Sequence, residues 1–210
     1  MRTPRRRRRR RRPGSAVKPN RSFDPRQVGA LETDAWLAYS RREWLPFLRA
    51  AVALTRSTFG LPWPSAVYGA WLVLRANQLW APYPDNDREG ARRAMERFYQ
   101  LVAKRHGEPA DPRRASELEV EWWRVHREHQ REETDEDEDS LVAALTALYS
   151  FVYAVPEADV RLAAEQRMLA MRYSDQWVRE GCDLESPLIG DERAALIRSY
   201  AGLLAAVHRV

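Results

Sequence analysis

At 210 residues, with 44% hydrophobic residues and eight tryptophans, the chain can bury a real core, which excludes a wholly disordered protein. The formal charge of +5 has two opposed sources: residues 1–21 carry eleven basic residues and no acid, while the remainder carries 24 basic and 30 acidic ones. The basic total is therefore no sign of a basic binding face on the folded part, and the lone Cys182 excludes an internal disulfide and a cysteine-based zinc site.

Residues 1–30 are expected to form a disordered Arg-rich tail, and residues 31–210 a single all-α domain. The unbroken run Arg5, Arg6, Arg7, Arg8, Arg9, Arg10, Arg11 and Arg12 would hold any polyanion, whether DNA, RNA or acidic lipid. Such contacts are salt-sensitive and blind to sequence, and no recognition-helix signature or stacking platform accompanies them. No apolar segment follows the run, so it does not read as a secretion signal. A start read at Val17 or Val28 would instead leave the tail untranslated.

After the tail the punctuation is helical. Thr33 or Asp34 can cap a first helix reaching about Arg56, with Pro46 kinking or dividing it. "FGLPWP" is a rigid connector, and a second helix runs from about Ser65 to Trp80. Asp85 or Asp87 caps a third, which ends at Gly107. The "DNDRE" there resembles the acidic clusters that hold magnesium–diphosphate in helical prenyl-chain enzymes. It lacks their paired aspartates and a second acidic motif, and a helix cap accounts for it. Asp111-Pro112 opens a fourth helix. "EETDEDED" is expected to be an acidic loop before a fifth helix at Ser140 to about Ala154, apolar nearly all round and so central. Pro156 opens a sixth, closed by Gly181, and Ser186-Pro187 opens a seventh. No alternating strand pattern occurs, so the expected fold is an all-α bundle of about seven helices. No segment reads as a membrane span. A cytoplasmic location is the expectation that fits best.

The stretch "SELEVEWWRVHREHQ" on the fourth helix invites a metal reading. On a wheel, Ala115, Leu118, Trp122 and Val125 share one apolar face, which puts Trp122 in the core and Trp123 on the flank. His126 and His129 could form one side of a metal site, but only His106 and His208 remain to complete it. Neither Glu-x-x-His nor His-Glu-x-x-His occurs. No metal and no cofactor is expected.

The sharper signal is polar residues in apolar surroundings. The second helix has a single charge, Arg75, with Gln78 nearby. The fourth carries Glu119 and His126 beside its apolar stripe. The sixth has Arg167 in the middle of a wide apolar arc, with Asp175 further on. Arg75, Gln78, Glu119, His126, Arg167 and Asp175 could converge in one pocket walled by Trp71, Trp80, Trp122 or Tyr83, suited to a small anionic or amphipathic ligand. A purely structural network of the same residues is the competing expectation. The sequence thus reads as a non-enzymatic helical binding protein for a partner, a second copy or a small ligand. The alternative is an enzyme drawing acid–base chemistry from Glu119, His126 or Asp175.

Overall fold

The structure, a computed structural model, describes residues 22–132 and 135–209. The Arg5–Arg12 run lies outside them. The described residues form eight α-helices and no strand: α1 Pro25–Ser40, α2 Trp44–Phe59, α3 Trp63–Trp80, α4 Arg88–His106, α5 Pro112–Glu132, α6 Asp135–Tyr153, α7 Glu157–Arg179 and α8 Leu188–His208. The all-α class is as the sequence implies. Three boundaries differ from expectation, and each has a local cause.

The first helix starts at Pro25, so residues 25–30 are helical and not part of a disordered tail. Asp24, not Thr33 or Asp34, is its cap: the Asp24 carboxylate accepts from the Arg26 backbone N–H at 2.9 Å, and Pro25 takes the first helical position. Phe23 and Val28 are buried, which anchors this end. The chain then breaks at Arg41 and Arg42, the latter with φ of 61°, so the helix expected to kink or divide at Pro46 divides ahead of it, and Pro46 falls in the first turn of α2. This break raises the helix number from seven to eight.

The acidic segment also departs from its expected loop. Its residues from Asp135 onward already belong to α6. Acids at a helix N-terminus complement the dipole, so the helix extends into them. The remaining stops and starts follow the local code. Asp87 accepts from Gly90 N–H at 2.7 Å, Asp111 accepts from the N–H of Arg113 and Arg114, and Gly107 closes α4 with φ of 80°.

Each helix packs against its neighbours in sequence, and α8 packs against α1, so the eight helices close an up-and-down ring. Short connections make neighbours antiparallel, and the C-terminal ends of α1, α3, α5 and α7 therefore lie at one end of the ring. Closure depends on small residues. Gly29 of α1 lies so close to α8 that a Cβ there would meet Ile197 Cγ1 at 2.8 Å and its backbone N at 3.0 Å. Ser199 of α8 donates to the Ala163 carbonyl of α7 at 2.7 Å. Gly29→Ala is expected to force α1 off α8 and cost about 1–3 kcal/mol. A thermal melt of the variant indistinguishable from wild type would show that the ring is not held shut at this contact.

Candidate functional site

The ring encloses two chambers. The upper one, about 270 Å³, opens toward the end where α1, α3, α5 and α7 finish. Trp36 and Tyr39 of α1, Trp80 of α3, and Trp122, Trp123 and His126 of α5 line it, with Glu32, Arg127 and Arg167 supplying charge and Glu192 a further carboxyl group. The lower chamber, about 190 Å³, is walled by Phe59, Phe98, Leu145, Leu148, Val152 and Leu203, with Glu119 and four tyrosines, Tyr99, Tyr149, Tyr153 and Tyr200. Trp122 and Arg167 border both.

Arg167 reaches this position because it stands on the inward arc of α7. Its acceptor is Glu32 of α1: Nη1 donates to Glu32 Oε2 at 2.7 Å, and Nη2 contacts Oε1 more closely still. Tyr200 of α8 donates to the same Oε2 at 2.6 Å. Burial opposes the Arg167 charge, but Glu32, with Tyr149 and Tyr200 adding to it, more than offsets this and holds the guanidinium pKa well above its ordinary value. Burial, reinforced by Glu32, pushes the Tyr200 phenol pKa well up. The triad of Glu32, Arg167 and Tyr200 therefore ties α1, α7 and α8 around the cavity.

Glu119 is the centre of the lower chamber. It accepts from Tyr99 OH at 2.6 Å and from Trp122 Nε1 at 3.1 Å. Burial raises its pKa above the ordinary carboxylate value against the pull of those hydrogen bonds and of Arg167. Burial likewise raises the Tyr99, Tyr149 and Tyr153 phenols.

Three polar groups of the upper chamber have no hydrogen-bond partner among the described residues: Trp36 Nε1, Arg127 Nη1 and Glu192 Oε2. Arg127 is held in place by its other nitrogen, which donates to the Trp80 carbonyl at 2.8 Å, and by the Trp80 ring 4.5 Å from its guanidinium carbon. Burial lowers its pKa; nearby Tyr83 opposes this and Arg131 adds to it. Glu192 is 4% exposed, and burial, aided by Glu32, pushes its pKa up to about 8. At neutral pH it is chiefly the neutral acid, an O–H donor as well as an acceptor. Two of the three unpartnered groups, Trp36 Nε1 and Arg127 Nη1, are donors, and Glu192 as the neutral acid can also donate.

Of the residues expected to converge, Glu119, His126 and Arg167 line the chambers. Asp175 adjoins them: it accepts from His126 Nε2 at 3.0 Å and from Gln130 at 2.8 Å. Arg75 and Gln78 do not join the group. Both are exposed on the outside of α3, whose core side is taken by Leu72 and Ala76 and whose chamber side by Val73, Asn77 and Trp80. Trp80 and Trp122 are walls as expected, whereas Trp71 is 52% exposed on the outside. Of the two α5 tryptophans, Trp123, expected on the flank, is buried against Trp80 and lines the upper chamber, while Trp122 points inward as expected, packing on the core and bordering both chambers. In a ring, α5 is covered by α4 and α6 on its flanks and faces the interior between them, so it has two buried stripes. Ser116, Val120 and Trp123 make the second.

Glu32 and Glu192 are additions to the sequence reading. Both were visible as acids in apolar stripes. Glu192 precedes Ala195, Leu196, Ser199 and Leu203 at helical spacing, and Glu32 stands between Val28 and Ala35–Trp36. Among the described residues, no group of three His, Cys, Asp or Glu side chains could hold a metal ion. Among the described residues, no helix is long and apolar enough to cross a membrane. Comparison with protein-family models, curated proteins and solved structures found no match.

Proposed function

We propose that the protein binds a small anionic amphiphile inside the ring. The observation that carries this reading is the unpartnered set among the residues that line the upper chamber: the donors Trp36 Nε1 and Arg127 Nη1, and the neutral acid of Glu192. Buried donors left without acceptors cost free energy, and a carboxylate or similar head group would satisfy them. The apolar and aromatic lining below suits the rest of such a molecule.

The test is calorimetric titration of the full chain with octanoate and decanoate, and with the matching alcohols. The acids are expected to bind better than the alcohols, and Arg127→Met is expected to weaken the acids roughly tenfold or more, with little change in melting temperature. Equal binding of acids and alcohols, or no effect of Arg127→Met, would reject the anionic head group.

A second reading, an enzyme, draws support from Glu119. A buried carboxylate with a raised pKa, held by Tyr99 and Trp122 in an apolar chamber, is placed to exchange a proton with a bound molecule. Turnover of a bound amphiphile that Glu119→Gln abolishes, with binding retained, would favour it. The Arg5–Arg12 run supports a separate, sequence-blind attachment to polyanions, expected to weaken steeply as salt rises.

A further inference from the structure

Of the eleven large hydrophobic side chains exposed among the described residues, seven sit on α2 and α3, so the exposure is concentrated on one face. Trp44, Leu45 and Leu48 begin the stripe on α2. On α3, Trp63, Val67 and Trp71 repeat every four residues, with Tyr68 stacked on Trp71 at 5.8 Å. The two stripes meet where Arg56 of α2 lies over the Trp63 ring, 5.1 Å from its centroid.

The charges on this face indicate what covers it. No acid occurs between Trp44 and Pro84, and the charged residues there are Arg49, Arg56 and Arg75. All three are exposed, and none pairs with a carboxylate among the described residues. Elsewhere beyond residue 21 the balance is reversed, with 30 acids against 21 bases. Exposed tryptophan, tyrosine and leucine beside unpaired arginine suit the boundary between lipid head groups and acyl chains. The rings enter the boundary, and the arginines meet negative head groups.

We propose that the outer face of α2 and α3 docks on an anionic lipid surface, with both helices lying along it. A second copy of the chain fits this face less well, because a two-fold contact would set arginine against arginine with no acid between them. Residues 1–21 fit it less well too, being dominated by arginine. The docking inference is independent of the cavity reading. The two features adjoin, since Tyr39 of the upper chamber lies 6.3 Å, ring to ring, from Trp44 at the edge of the face.

The experiment is co-sedimentation of the full chain with phosphatidylcholine vesicles, with and without phosphatidylglycerol, read beside tryptophan quenching by brominated acyl chains. Binding to the phosphatidylglycerol vesicles is expected, with quenching. The double variant Trp63→Ser/Trp71→Ser is expected to partition roughly tenfold less or weaker still, with its melting temperature kept because both rings are exposed. Arg49→Gln/Arg75→Gln is a second variant on the same face and should also lose binding. Attachment through the arginine tail alone would leave both variants bound as wild type and the tryptophans unquenched, and that overturns the proposal. Self-association that the tryptophan variant abolishes, without vesicle binding, overturns it in favour of a second copy.

Discussion

Arg167→Met is expected to destabilise the protein by about 3–5 kcal/mol, because it removes one partner of a buried ion pair and leaves the other charged. For a chain of this length that lowers the melting temperature by roughly 10 °C or more. The physical reason is the position of Glu32. Its side chain is 18% exposed and that of Arg167 16%, so water screens the pair only weakly. With the guanidinium gone, the carboxylate keeps only the Tyr200 hydroxyl as a donor among the contacts that hold it. The double change Glu32→Met/Arg167→Met removes both charges and is expected to lie closer to wild type than Arg167→Met alone. Denaturant melts of the three proteins check this. A loss below about 1 kcal/mol for the single change would mean that the pair behaves as a surface ion pair. Because Arg167 borders both chambers, the same variant should also change ligand binding. The double variant then separates loss of fold from loss of site.

Glu192→Gln is expected to stabilise the protein in alkaline solution and to flatten its pH profile. In the unfolded chain this carboxyl ionises near 4.5, whereas in the fold its pKa is pushed up to about 8 by burial, with Glu32 adding to the effect. Below 4.5 both states hold the proton, and Glu192 makes no difference to stability. As pH rises from 4.5 to 8 the unfolded state releases its proton and the folded state keeps it, so stability falls. Above 8 the full penalty is present, about 5 kcal/mol at the upper limit. Glutamine keeps the shape of the neutral acid and cannot ionise, so the variant should gain on wild type through this window. Melts of both proteins at acid and alkaline pH read the difference. Parallel profiles would show that Glu192 ionises in the fold as it does in water. A bound anion should raise the wild-type midpoint more below the Glu192 pKa than above it, since the neutral acid can donate and the carboxylate repels.

The cavity was partly legible before any tertiary contact was known. Arg167, Glu119 and His126 stood out as polar residues on or beside apolar stripes, and that placement alone directed them inward. Arg75 and Gln78 were placed with them because α3 is apolar nearly all round. A wheel without a polar side cannot say which face is inward, and in the ring it is the side of Leu72, Ala76 and Trp80 that is buried. The same uniformity hid the exposed face of α3. Glu32 is hidden for a different reason: its stripe begins at Val28, among residues whose composition resembles the tail that precedes them.

The sequence by itself determined the helical class and most helix ends, because caps, prolines and the Gly107 stop act within a turn of the backbone they terminate. It also determined that residues 1–21 and the remainder differ in charge, since that is composition. Only the tertiary structure decided that α8 returns to α1, that the nearest carboxylate to Arg167 is Glu32, and that Trp122 and Trp123 divide cavity and core as they do. These depend on which helices become neighbours. Adjacency is set by packing over the whole ring, through contacts such as Gly29 against Ile197 that no local pattern encodes.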